Sequence, residues 1–100
     1  MKKSNKKYMQ EKTSKKVKKF QSFKWSHNKN VNQVCLAGEF NGWTPIPMEK
    51  RDDEFQAIVE LEPGEYQYKF VVDGQWVDDP SAPKATMNAF GTANSVVQVI

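Results

Sequence analysis

Apolar and polar residues alternate along much of the second half of this chain. In Glu54–Leu61, the residues Phe55, Ala57, Val59 and Leu61 fall on one face, with Gln56 and Glu60 on the other. In Glu65–Val72, Tyr66, Tyr68, Phe70 and Val72 alternate with outward Gln67 and Lys69. A period of two is that of a half-buried β-strand, whose successive side chains point to opposite faces. Shorter runs repeat it: Phe23 and Trp25 in Val17–Trp25, Val34 and Leu36 in Gln33–Phe40, and Val97 and Val99 in Ser95–Ile100. Gln75–Val77 reads as a short return strand.

Turn signals separate these runs. Asn41-Gly42, Pro63-Gly64 and Asp73-Gly74 supply residues that accept the positive φ of tight turns. Arg51–Asp53 marks another turn, and Ser26–Gln33 is a polar, Asn-rich loop. Asn41–Pro47 is predicted as a loop, because Pro45 and Pro47 limit strand pairing. Asp78–Asn94, with Pro80, Pro83 and Gly91, is predicted as mostly loop, seventeen residues long. Loops of that length in a compact domain are commonly functional. About six short strands with regularly spaced turns and no amphipathic helix predict an all-β sandwich.

Charge divides the chain in two. Residues 1–24 hold ten lysines against the single acid Glu11, whereas 25–100 hold five basic and eleven acidic residues. The net charge of +3 is therefore the sum of a basic segment and an acidic domain. Residues 1–16 contain almost nothing apolar and are expected to form a disordered tail, leaving 17–100 as one domain. No run approaches the roughly 20 apolar residues of a membrane span. The basic start lacks the apolar run of a secretory signal. Cys35, the single cysteine, excludes an intramolecular disulfide; its apolar surroundings predict a buried, reduced thiol and a cytoplasmic location.

The same features weigh against catalysis. The chain is far shorter than the roughly 250 residues of a (β/α)₈ barrel. Asp78-Asp79 reads as turn initiation before Pro80 rather than as a catalytic carboxylate pair. His27 stands alone in a polar loop with no cluster to hold a metal, and Cys35 has no neighbouring base. No enzyme activity, metal or cofactor is expected.

The candidate chemistry lies on two tryptophans beside turns. Trp43 follows Phe40-Asn41-Gly42, and Trp76 follows Asp73-Gly74-Gln75. An indole held at a surface is a flat apolar plate that suits the C–H face of a sugar ring. Lys69 points out one hairpin turn from Trp76, and Asn94 ends the long segment. A donor and an amide that both donates and accepts suit hydroxyl groups. By analogy with bases stacked on aromatics, each plate contributes about 1–3 kcal/mol. After ordering costs, affinity would be on the order of micromolar to millimolar. Trp25 lacks a glycine turn and is expected to pack in the core or at its edge.

At these residues the sequence resembles a known family. Val34-Cys35-Leu36-Ala37-Gly38-Glu39-Phe40-Asn41-Gly42-Trp43 is similar to the opening of the glycogen-binding domain of AMP-activated protein kinase β-subunits, within carbohydrate-binding module family 48. Gly64–Trp76, Asp79-Pro80 and Gly91-Thr92-Ala93-Asn94 continue the match in register. The resemblance, over roughly 23–100, implies an early-set, immunoglobulin-like sandwich that binds α-1,4-glucan without catalysis. It implies that Trp43 and Trp76 stack on glucose units and that Lys69 and Asn94 bond sugar hydroxyls. Thr92 lies at the same site. Phe90 stands where the kinase subunit usually has leucine, and keeps an apolar contact of different shape. Arg51 stands where that subunit carries a phosphorylatable serine, so this regulation is not carried over. Glycogen, starch or a maltooligosaccharide is the partner implied. Two other readings stand beside it: an interaction module that binds protein or, through its lysine-rich tail, nucleic acid or other anions weakly, and an accessory domain acting in trans with a glucan enzyme.

Overall fold

The computed structural model describes residues 17–26 and 30–100. The expected basic tail at 1–16 and the lone His27 lie outside the described residues. The fold is an antiparallel, immunoglobulin-like β-sandwich of the early-set kind. Its strands are β1 (Lys19–Trp25), β2 (Val34–Gly38), β3 (Ile46–Pro47), β4 (Glu49–Arg51), β5 (Glu54–Leu61), β6 (Gly64–Val72), β7 (Gln75–Val77), β8 (Lys84–Met87) and β9 (Ala93–Val99). A 3-10 turn, Glu39–Asn41, follows β2. The small sheet has the order β1-β5-β4, and the large one β3-β2-β6-β9-β8 with β7 also paired to β6. No helix among the described residues is long and apolar enough to cross a membrane.

The alternation predicts the faces well. Phe23, Trp25, Phe55 and Leu61 of the small sheet meet Val34, Leu36, Tyr68 and Phe70 of the large one in a single buried cluster. Aromatic edges bind the layers together: Phe23 lies 4.9 Å from Tyr68 at 70°, and Trp25 lies 5.3 Å from Phe70 at 67°. Such edge-to-face pairs contribute about 0.5–1.5 kcal/mol each beyond their buried area. Trp25 is thus a core residue, as its lack of a glycine turn predicts.

Four expectations need correction. Ile46–Pro47 is not loop but a two-residue strand paired with Leu36 and Cys35. It lies at the outer edge of its sheet, the position where a strand tolerates proline's missing N–H. Glu49–Arg51 is likewise a strand, paired with Glu54–Gln56 across the tight turn at Asp52-Asp53. Most important, Asp78–Asn94 is not one long loop: Lys84–Met87 pairs with Ala93–Val96, leaving a hairpin connection at 88–92. Asn94 therefore sits on a strand. Cys35 is only partly buried, because it faces away from the core between inward Val34 and Leu36.

One feature of the topology positions everything that follows. A single flank of β6 is shared by two partners. Gly64–Tyr68 pairs with β9, and Phe70–Val72 pairs with β7. Lys69 lies at the junction, and its other neighbour across the sheet is Ala37 of β2.

Candidate functional site

The turn after β2 brings out the first tryptophan. Asn41 accepts a hydrogen bond from Gly38 N (2.9 Å) at its Oδ1 and donates Nδ2 to Leu36 O (3.2 Å). The backbone then closes through Trp43 N donating to Gly38 O at 2.9 Å. Both Gly42 (φ 64°) and Trp43 (φ 60°) are left-handed. That conformation is routine for glycine and costly for a bulky L-residue. Strain of this kind is retained where surrounding contacts over-determine it, commonly at functional sites. The indole is half-buried rather than sunk in the core.

The second tryptophan comes from the β6–β7 hairpin. Its two-residue turn has positive φ at Asp73 (47°) and Gly74 (88°), the pattern of a tight hairpin turn. The Asp73 carboxylate accepts bonds from Asn32 N (3.1 Å) and Gln33 N (2.8 Å), which ties the hairpin to the start of β2. Trp76 pairs with Val71 and remains 47% exposed.

Between them lies Lys69. Its side chain points away from the core, as the alternation predicts, yet it is buried, contrary to a solvated outward lysine. Its Nζ donates to Ala93 O at 2.7 Å, closing the gap where β7 gives way to β9. Two of its three ammonium hydrogens remain for other acceptors. Asn94 is buried too. Its Nδ2 donates to Gln67 Oε1 (2.9 Å), and its Oδ1 accepts from Asn88 Nδ2 (3.0 Å).

Asn88 organises the 88–92 connection. Its Oδ1 accepts from Phe90 N (2.9 Å) and Thr92 N (3.2 Å), and its Nδ2 also donates to Thr92 Oγ1 (2.7 Å). Phe90 stands at the tip, 90% exposed.

These elements enclose one groove of about 550 Å³, lined by Glu39, Trp43, Gln67, Lys69, Trp76, Asn88, Phe90, Thr92 and Asn94. All six residues singled out in the sequence line it. Three more do as well. Gln67 was legible, since it shares the outward face with Lys69. Asn88 carries a weak signal, as an asparagine near a glycine that readily bonds its own loop. Glu39 carries none: its Oε1 accepts from Gln67 N at 2.8 Å, a contact set by β2–β6 register alone. Asp79 lies elsewhere, accepting from the Tyr68 hydroxyl (2.6 Å) and from Ser81 N and Oγ (2.9 and 2.7 Å). It anchors a turn, as the sequence predicts.

The groove thus offers two indole plates and an exposed phenyl ring, with an ammonium, a carboxylate and three amides between them. Among the described residues no group of histidine, cysteine and acidic side chains is placed to hold a metal ion.

Comparison with known proteins bears on this arrangement. A family model described as the glycogen recognition site of AMP-activated protein kinase matches residues 20–100. The kinase's β-1 subunit from Sus scrofa is 44% identical over 77 residues, covering 77% of this chain and 61% of that one. The Bos taurus β-1 subunit is 46% identical over 77 residues, covering 77% and 27%. The Mus musculus β-2 subunit is 47% identical over 77 residues, covering 76% and 27%. The chain spans less than two thirds of each. Among solved structures, maltogenic amylase from S. marinus superposes with a TM-score of 0.68 at 22% identity, over 84% of this chain and 14% of that one. Enterobactin esterase from Shigella flexneri gives 0.64 at 18%, over 86% and 33%. These two likenesses are likenesses of fold.

Proposed function

The chain belongs to the glycogen-recognition family of AMP-activated protein kinase, and we propose that it is a non-catalytic module that binds α-1,4-glucan by stacking glucose units on Trp43 and Trp76. One observation carries the reading: residues from four separate stretches of chain converge on a single groove of mixed apolar and hydroxyl-binding character. Trp43 and Trp76 supply the plates. Phe90, at the rim, covers an apolar sugar face. Lys69 keeps two donors, and Asn94 keeps a donor hydrogen and a lone pair, after their structural bonds are counted. Thr92 adds a hydroxyl beside them.

Burial of Lys69 and Asn94 matters to the energetics. Both are held by neighbours before a ligand arrives, so less side-chain entropy is lost on binding. Residues 17–100 form the glucan-binding unit, which a reducing cytoplasm suits. Its partner is glycogen, starch or a maltooligosaccharide.

The test is retardation in glycogen-containing gels together with titration by maltooligosaccharides. Trp76→Ala is expected to weaken binding about 5- to 150-fold, with the melting temperature unchanged. Trp43→Ala is expected to weaken it over the same range. Migration of the folded wild type unaffected by glycogen would rule the reading out.

A further inference from the structure

The outward face that carries Lys69 and Asn94 does not stop at the groove. Across the large sheet, Val96 is the direct neighbour of both Gln67 on β6 and Lys84 on β8, while Asn94 is the neighbour of Thr86. All of these point away from the core. Of these, Val96, Gln67, Lys84 and Thr86 enclose, together with Glu65, a second hollow of about 210 Å³. Its floor is Val96, only 5% exposed. Its walls are polar, with Lys84 Nζ donating to Glu65 Oε2 at 2.9 Å.

The hollow adjoins the groove. Gln67 lines both, and the Asn94–Gln67 hydrogen bond of 2.9 Å forms the sill between them. Glu65 lies one strand period past Gln67 on the same face, roughly 7 Å further along β6. The chemistry repeats in a second form. A buried valine offers a small apolar patch to a C–H face. Around it, the Lys84 ammonium has spare hydrogens, the Glu65 carboxylate has a second oxygen, and Thr86 and Gln67 offer a hydroxyl and an amide. With no aromatic plate, the hollow is suited to hydrogen-bond a ring already held next door rather than to capture one alone.

We propose that this hollow is an extension subsite, which takes one further glucose unit of a glucan chain crossing the sill from the tryptophan groove. The assignment rests on the glucan-binding reading. It makes affinity depend on chain length.

The experiment titrates the full chain with linear maltooligosaccharides of increasing length. Wild type is compared with the double variant Glu65→Ala/Lys84→Ala, which removes both ion-pair partners together, and with the near-isosteric Thr86→Val. Short chains that fill only the tryptophan groove should bind all three proteins alike. The affinity gained on lengthening should be lost in the double variant, about threefold to tenfold, and reduced in Thr86→Val, with melting temperatures preserved. Equal length dependence in all three proteins overturns the extension subsite while leaving the groove intact. Absence of binding at every length overturns both.

Discussion

A methyl group added at Gly38 would lie 2.6 Å from a ring carbon of Phe40 and 2.8 Å from Gln67 O. The backbone there is extended, at φ −166°, so the constraint is space and not conformation. The Phe40 ring lies over the strand and packs 5.4 Å from Phe23. Gly38→Ala must push either the ring or the β6 backbone, and overpacking of this kind costs about 1–3 kcal/mol. Chemical denaturation should show that loss, together with weaker glucan binding, because Trp43 N bonds the Gly38 carbonyl. Trp43 illustrates the limit of residue-level reading. Its neighbour Gly42 announced a turn in the sequence, but the left-handed backbone of the tryptophan itself did not. That geometry accompanies a turn in which the Asn41 side chain is fastened back to Leu36 and Gly38 while Trp43 N closes onto Gly38 O.

Among the elements that sequence patterning missed, the hairpin from β8 to β9 matters most to the groove. Its strand Lys84–Met87 is short, lies at the sheet edge and has three exposed residues of four. Such a strand has no buried face to imprint an alternation of apolar and polar positions. The connection that follows is held by two backbone bonds, Asn88 N to Thr92 O (2.8 Å) and Gly91 N to Asn88 O (3.2 Å), and by one side chain. Replacing Asn88 by alanine removes the acceptor for two backbone N–H groups and the donor to Thr92 and Asn94. Asn88→Ala should speed amide exchange at Phe90 and Thr92 and weaken glucan binding several-fold, about 2- to 12-fold if one net hydrogen bond's worth of order is lost. The melting temperature should move little, since the connection contributes nothing to the core. By contrast β5 and β6 were legible almost to the residue, because each has one face packed on the opposite sheet.

At the scale of the molecule, the sandwich is pinned on its core side by Tyr68, which packs against Phe23 and donates to Asp79. Burial, and after it the hydrogen bond and negative charge of Asp79, push the Tyr68 hydroxyl well above the usual phenol range. Its proton is therefore held more tightly folded than unfolded. The stabilisation is complete below the unfolded value of about 10 and is lost progressively as pH rises beyond it. Melting temperatures measured from neutral to strongly alkaline pH should fall above about pH 10. Tyr68→Phe should lack that component of the decline, at the expense of a lower neutral value. What the sequence by itself determined about this protein is the set of faces: which residues of β5 and β6 point inward, which tryptophans sit at turns, and that Lys69 and Gln67 point outward. Those follow from local period and turn chemistry, and the resemblance turned them into a candidate glucan site. What only the tertiary structure decided is proximity. Glu39 meets Gln67, Asn94 reaches Gln67, and Lys69 is buried at the seam between β7 and β9, because strands far apart in the chain are brought into register by the core they share. Register is a property of the whole packed sheet, and no stretch of the chain encodes it alone.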